Sequence, residues 1–265
     1  MPPATSDRST KGLDMRLHLA GTLALGLWLL APGGASAEVR PFADVESGWA
    51  IPGYNDVRIP GDTGTLFSLN SGPITTASAP YFRLRLGVTL AERHTVFVAA
   101  APLRLQARGT LPGDVDFAGS TFPAGSFVTG QYRFDTWRLT YRYTWWRSED
   151  LEATVGATAL VRDAGISLQG GGQFAEKLNV GLVPLLSFSV RWRFAGPWSL
   201  LLDGDALAGG PGRAEDVLLA LRCQLRPDLA VRLGYRLLEG GADTSTVYNF
   251  ALFHFVGAGL EVGLW

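Results

Sequence analysis

The chain has 265 residues, a net charge of −1, 47% hydrophobic residues and a single cysteine. The near-neutral charge gives no support for a nucleic-acid partner, and one cysteine cannot build a disulfide framework. The length suits one large β-domain or two small ones.

Residues 1–37 have the features of an N-terminal extension followed by a signal peptide. Met15 and Arg16 precede the apolar run Leu17–Leu30, and Ala-Ser-Ala at 35–37 is a small-residue cleavage site. A transmembrane anchor is the alternative, but an apolar run of about 14 residues is too short to span a bilayer. We expect translation to begin at Met15 and cleavage to follow Ala37, so that residues 38–265 form the mature domain.

Beyond residue 37 the sequence alternates between apolar and polar residues in a series of strand-length segments. A local bulge is expected at Pro102, and another at Pro184, because proline removes a ladder donor. The predicted strands with definite bounds are Val39–Ile51, Pro80–Leu90, Thr95–Ala107, Thr136–Trp146, Trp198–Leu207, Glu215–Arg226 and Leu229–Leu238, with two more on either side of Gly170–Gly172 and a last one ending at Trp265.

The segment Thr136–Trp146 indicates which solvent surrounds the sheet. One face carries Trp137, Trp145 and the apolar residues between them, and the other carries arginines and threonines. The two tryptophans stand roughly nine residues apart, the length that a tilted strand needs to cross a bilayer with an aromatic ring at each boundary. We therefore predict lipid outside and a charged interior.

Short turns alternate with longer Gly-rich loops along the predicted strands. The short turns lie at Ala91–His94, Arg147–Asp150, Ala195–Pro197 and Pro227–Asp228. This asymmetry is typical of outer-membrane barrels, whose short turns face the periplasm. The predicted fold is all-β: an antiparallel up-and-down transmembrane β-barrel of about ten strands. Eight strands would result if two weak segments are loop extensions, and twelve if the first long loop hides a hairpin.

The segments NDVRIPGD (Asn55–Asp62) and GYRLLEGGADTSTVYNFALFHF (Gly234–Phe255) resemble a family of uncharacterised bacterial outer-membrane β-barrel proteins. The aromatic C-terminal residue, Trp265, also resembles the end of bacterial outer-membrane barrels that is recognised by their insertion machinery. The resemblance implies a barrel in a Gram-negative outer membrane and implies no particular activity.

Alternation places charged residues of both signs inside the predicted barrel. The expected lumen residues are Asp44, Glu46, Arg83, Arg85, Arg138, Arg142, Glu152, Asp203, Asp205, Arg222, Arg232 and Glu261. We expect ion pairs between neighbouring strands, because an isolated charge in a confined interior is costly. The expected neighbours are Asp44 and Glu46 with Arg83 and Arg85, Glu152 with Arg142, Asp203 and Asp205 with Arg222 and Gln224, and Glu261 with Arg232.

The aromatic residues expected at the membrane interfaces are Trp49, Trp137, Trp145, Trp192 and Trp198. The expected partners are outer-membrane lipids and lipopolysaccharide, with the barrel-insertion machinery during biogenesis, and we expect a monomer. No Cys/His cluster has the spacing of a metal site, and no motif indicates a cofactor.

Three functional classes remain open from the sequence. The favoured one is a non-enzymatic outer-membrane protein with a lumen filled by side chains, which is structural, interacts at the surface, or passes small solutes slowly. A lipid-modifying enzyme, such as a lipid A or phospholipid acyl hydrolase, is the alternative, but no catalytic residue is assigned. His94 falls in a predicted turn and His254 on the lipid face. A soluble calycin-like barrel would instead turn the tryptophans inward.

Overall fold

The computed structural model describes residues 38–210 and 212–264. The predicted signal peptide and Trp265 lie outside these residues. Ten long strands form the barrel: β1 (Val39–Arg58), β2 (Ala79–Leu90), β3 in two segments (His94–Ala101 and Arg104–Thr110), β4 (Phe127–Arg147), β5 (Leu151–Gly170), β6 (Gln173–Ala195), β7 (Trp198–Gly209), β8 (Gly212–Arg226), β9 (Leu229–Asp243) and β10 (Tyr248–Gly263). Across both described ranges, no helix combines the length and the apolar character needed to cross a bilayer.

Each strand pairs antiparallel with the next one in sequence, and the first pairs with the last. The β1–β10 register runs from Phe42 opposite Gly263 to Arg58 opposite Tyr248. Closure satisfies the backbone groups of both edge strands, as a sheet surrounded by lipid requires. The predicted ten-stranded antiparallel barrel is therefore confirmed, and neither eight nor twelve strands close the ring.

Strand β4 shows how the sequence pattern determines the two faces. Trp137 and Trp145 are exposed on its outer side, whereas Arg138, Thr140 and Arg142 are buried inside. Successive side chains of a strand point to opposite faces, so the apolar residues cover the outside and the polar ones fill the interior.

The strands extend to different levels at the two ends of the barrel. At the short-turn end, adjacent strands are joined by the predicted turns. At the other, long-loop end, β4, β5 and β6 extend well beyond β7 and β8. The bulge expected at Pro102 is absent: Pro102 and Leu103 separate the two segments of β3, but the register with β4 is the same on both sides, with Ala101 opposite Thr136 and Arg104 opposite Arg133.

Strand β6 is paired on both sides only in its lower part. Its pairing with β5 is continuous from Gln173 to Trp192, whereas its pairing with β7 stops at Leu186. The register with β5 does not shift at Pro184, so the bulge expected there is absent. Proline has no N–H to donate, and Pro184 lies just beyond the last β7 pair, where no donor is needed.

A short hairpin joins β7 and β8, with Gly209 opposite Gly212. The connection between the predicted strands Trp198–Leu207 and Glu215–Arg226 is therefore much tighter than the seven residues, 208–214, that the prediction left between them. Because β6 continues above this hairpin, the wall is open between Gln173–Leu185 of β6 and the hairpin tip. We call this opening the lateral gap.

The upper lumen, at the long-loop end, is filled by an apolar core. Two short segments, Val115–Phe117 and Ser120–Phe122, pair as a hairpin, and their Phe117 and Phe122 side chains are fully buried. Leu69 from the first long loop and Leu168 of β5 belong to the same core. We call this hairpin and the first long loop the cap.

Candidate functional site

The interior below the cap holds a cluster of charged side chains, which we call the lumen charge network. Alternation directs them inward from β1, β2, β4, β7, β8 and β9. Its members are Asp44, Glu46, Arg83, Arg85, Arg138, Arg142, Asp203, Asp205, Asp216, Arg232 and Arg236.

Arginines of β4 cross the lumen to carboxylates of β7 and β8. Nη1 of Arg138 donates to Asp205 at 2.7 Å, and its Nη2 donates to Asp216. Arg142 donates to Asp203 and to the hydroxyl of Ser187. These bonds connect walls that are not neighbours in the sheet, so they hold the barrel across its diameter.

Asp216 lies at the centre of the network. Its Oδ2 accepts from Arg83 at 2.9 Å and from Arg138, and its Oδ1 accepts from Arg236 at 2.6 Å. Three guanidinium groups therefore surround one buried carboxylate. Arg236 also binds Glu46 through two bonds of 2.9 Å. A buried charge left alone is costly, whereas one that is paired and hydrogen-bonded is tolerated.

The expected pairs between neighbouring strands are largely wrong. In the β1–β2 register Asp44 and Glu46 do lie opposite Arg85 and Arg83, yet their carboxylates bind Arg232 and Arg236. The reason is that β10, which separates β9 from β1, has Gly259 between Arg232 and Glu46, so arginine side chains of β9 reach over this strand to the carboxylates of β1.

The expected neighbours of Asp203 and Asp205 are wrong for a second reason. The tight β7–β8 turn places Asp203 opposite Leu218 and Asp205 opposite Asp216, rather than near Arg222 and Gln224.

Two further pairs differ from expectation near the short-turn end. Glu152 binds Arg147 and Arg191 instead of Arg142, and Glu261 binds Arg222 instead of Arg232. Glu152, Glu261 and their three arginine partners belong to smaller ion pairs outside the network.

Sequence reasoning missed Asp216 and Arg236. Both have the inward parity of their strands, since Asp216 alternates with outward Val217 and Arg236 with outward Tyr235. The same period of two that identified Arg232 could have found them.

The five expected interface tryptophans all lie on the outer surface with their rings exposed. Their exposed fractions range from 42% at Trp198 to 58% at Trp145.

Both histidines of residues 38–265, His94 and His254, are also on the outside. Nδ1 of His94 lies 2.9 Å from the Tyr141 hydroxyl, and Nδ1 of His254 lies 2.6 Å from the Tyr235 hydroxyl. Each imidazole therefore has a tyrosine as its hydrogen-bond partner. Within the two described ranges, no group of three or more His, Cys, Asp or Glu side chains is placed to hold a metal ion.

A polar cluster marks the upper limit of the apolar outer surface on β8 and β9. Arg213 donates to both oxygens of Glu239 at 2.8 Å, and the Tyr54 hydroxyl donates to the same carboxylate. Burial alone would raise the pKa of Glu239, but the hydrogen bonds from Arg213 and Tyr54 outweigh it and hold the pKa below its usual range.

The two segments that carry the family resemblance, Asn55–Asp62 and Gly234–Phe255, contact each other at the long-loop end. The side-chain amide of Asn249 donates to Oδ1 of Asn55 at 2.9 Å, and the amide of Asp62 donates to the carbonyl of Ser245 at 3.2 Å. Arg58 stacks over the ring of Tyr248.

No model of a known protein family matches the chain, and no curated protein is significantly similar to it in sequence. Among solved structures, the outer-membrane protease OmpT from Escherichia coli aligns with 85% of this chain and 97% of its own length, at a TM-score of 0.51 and 9% identity.

Two further structural neighbours come from other bacteria. Ail, the attachment invasion locus protein of Yersinia pestis, covers 83% of this chain and 97% of its own, at a TM-score of 0.36 and 11% identity. Neisserial surface protein A covers 86% and 99%, at 0.31 and 12%. Identities this low bear on the fold alone. The chain has the fold of bacterial outer-membrane β-barrel proteins.

Proposed function

We propose that the chain is a non-enzymatic outer-membrane β-barrel protein that is sealed along its axis and acts at the membrane surface. The observation that carries this proposal is that two layers of side chains block the lumen: the lumen charge network and, above it, the apolar core at the cap. A ten-stranded barrel is too narrow for a wide aqueous channel, which needs about sixteen strands.

Each of the two layers opposes solute passage in a different way. In the charge network every carboxylate is held by arginines, so a passing ion would have to break several charge-assisted hydrogen bonds at once. Above it, fully buried Phe117 and Phe122 leave an apolar barrier to ions.

Conductance in planar bilayers tests the seal, with wild type compared with an Asp203→Ala/Asp205→Ala double variant. We expect no step-like conductance from either, because the apolar core closes the upper lumen even when the network is disrupted. Stable conductance steps from the wild type would contradict the proposal. Mass spectrometry of lipid A from expressing cells tests the enzymatic alternative, and we expect an unchanged profile.

We further propose that the protein is exported by a signal peptide cleaved after Ala37 and resides as a monomer among outer-membrane lipids and lipopolysaccharide, inserted by the barrel-insertion machinery. Membrane fractionation with intact-mass measurement tests this. The expected species begins at Glu38 and sediments with the outer membrane. A soluble periplasmic species would refute it.

A further inference from the structure

An apolar cavity of about 340 Å³ lies in the lumen between the charge network and the cap. Its walls include Leu160, Leu182, Leu185, Leu207, Leu238 and Phe253, and Arg138 and Asp216 form its floor. Cavities of this size and character bind small apolar molecules or parts of larger ones.

The cavity reaches the lateral gap. Leu182 belongs to the outer face of β6 and is 70% exposed, whereas Leu185 and Phe253 are inward-facing and buried. All three line the same space, together with Gly209 and Gly212 of the hairpin tip. An opening through the wall therefore connects the lipid-facing surface with the interior.

The gap opens near the level where the lipid-facing surface ends. The polar cluster of Arg213, Glu239 and Tyr54 lies just below the hairpin tip, on strands whose lower outer faces carry leucine and valine. The headgroup of a lipid in the bilayer would therefore lie at the level of this opening.

A second cavity of about 230 Å³ continues the first one upward and has a mixed lining that includes Lys177 and Asn179. Tyr132, Arg162, Ala164 and Asn249 line both spaces, so the two form one cleft with an apolar lower compartment and an upper compartment that contains cationic and amide side chains. Lys177 lines the upper compartment and is the only lysine of residues 38–265.

The cations of the upper compartment are not neutralised. Among the described residues neither Arg162 nor Lys177 forms a salt bridge, whereas most inward arginines do. Nη2 of Arg162 donates to Asn179 at 3.0 Å, but its Nε is buried without a hydrogen-bond partner. A buried donor left unsatisfied is costly, and an anionic ligand would satisfy it.

Two of the three carboxylates that line the apolar compartment are already paired and would not repel such an anion strongly. Asp216 accepts from three arginines, and Glu239 is held by Arg213, whereas Glu215 is exposed on the outer side of β8. The charged side chains that line the upper compartment, Arg162 and Lys177, are both positive.

We propose that this cleft binds the acyl chain of an anionic amphiphile, a fatty acid or a phospholipid, which reaches it through the lateral gap. The chain occupies the apolar compartment, and the carboxylate or phosphate binds Arg162 and Lys177. This inference rests on the proposed residence in the outer membrane.

Photo-crosslinking in reconstituted vesicles of phosphatidylethanolamine and phosphatidylglycerol tests the proposal. One arm uses palmitic acid with a mid-chain diazirine, and the other uses phosphatidylglycerol carrying the same chain. Mass spectrometry then compares labelling of Phe253, which faces the cavity, with labelling of Leu233, which faces lipid. We expect both residues to be labelled, and the arm that labels Phe253 identifies the source of the chain.

Two variants test whether the label on Phe253 comes from a chain that is bound in the cleft. Ala164→Trp fills the space where the compartments meet, and we expect the Phe253 signal to fall about tenfold relative to Leu233. Ala157→Trp is the matched control, because Ala157 lies on the same strand but faces outward, and it should leave the ratio unchanged. Arg162→Gln/Lys177→Gln should also lower the Phe253 signal by about tenfold, since charge-assisted bonds are lost.

Competition with unlabelled palmitate provides a readout that needs no variant: it should reduce the label on Phe253 and leave Leu233 unaffected. Labelling of Leu233 without Phe253 in both arms overturns the inference and leaves the proposed function intact. A protein that fails to insert, with no label on Leu233, refutes the proposed function itself.

Discussion

Arg236 and Glu46 bind each other through two hydrogen bonds of 2.9 Å, although their strands β9 and β1 are not neighbours and are separated by β10. Both side chains are almost completely buried. The pair thus links two parts of the wall that the backbone ladder does not join directly, and it connects the Asp44 and Asp216 ends of the lumen charge network.

Removing Arg236 should destabilise the barrel strongly. Arg236→Met leaves Glu46 and Asp216 with fewer partners in a buried site, and breaking a buried ion pair costs about 3 kcal/mol. Urea-induced unfolding from vesicles measures the effect. The matched control is Arg40→Met, which breaks a solvent-exposed pair with Glu38 and should have no measurable effect.

Removing both charges should cost less than the sum of the single changes. In Glu46→Leu/Arg236→Met no uncompensated charge of this pair remains, so we expect the double variant to recover part of the lost free energy of unfolding. Strictly additive losses in urea would show that the two side chains act independently.

Proline substitution tests the unpaired edge of β6. Leu182 and Val190 lie on the same face of this strand, but only Val190 is paired with both β5 and β7. We expect Val190→Pro to destabilise the barrel by about 3 kcal/mol, because a ladder donor is lost, and Leu182→Pro to cost far less. Thermal unfolding on a gel that separates folded from unfolded barrel measures both. Equal losses would mean that the gap is closed by another pairing.

The cluster around Glu239 should contribute to stability in a pH-dependent way. The pKa of Glu239 is lowered in the folded state, so its contribution is complete above the unfolded value of about 4.3 and is lost as the pH falls through the folded value. The difference in unfolding midpoint between wild type and Glu239→Gln should therefore shrink on acidification.

Asp243→Asn is the control for that titration, since Asp243 is exposed at the end of the same strand. Its difference from wild type should stay small throughout. A Glu239→Gln difference that grows as the pH falls would contradict the lowered pKa.

The strands and their faces could be predicted because alternation is a local signal. Trp137 and Arg138 are neighbours in sequence and point to opposite sides whatever the rest of the chain does. The short turns follow from proline, glycine and acidic residues at regular distances.

The partners of the inward charges could not be predicted, because they depend on the closed barrel. Arg138 meets Asp205 and Asp216 only after β4 has curved to face β7 and β8, and the width of the lumen then decides which side chains meet. The positions of residues along neighbouring strands predict which residues are adjacent in the sheet, but they carry no information on the diameter of the barrel.

The lateral gap could not be predicted from the sequence for a related reason. It arises from a difference in length between β6 and the β7–β8 hairpin, and a Gly-rich segment such as Gly209–Gly212 does not reveal how tightly it turns. Pro184 was the one local signal, since it shows where β6 loses a neighbour.

The identity of the outer solvent can be tested directly with brominated lipids, which quench tryptophan fluorescence on contact. In variants that retain only Trp137 or Trp145, we expect strong quenching in vesicles made from brominated phospholipid, because both rings are about half exposed on the outer surface. The matched control carries a lone tryptophan at Phe97→Trp, a buried site that contacts Arg85 and Arg142 inside the lumen, and it should resist the same lipid. Quenching of the lumen tryptophan alone would reverse the two faces and favour a soluble barrel with its tryptophans inside.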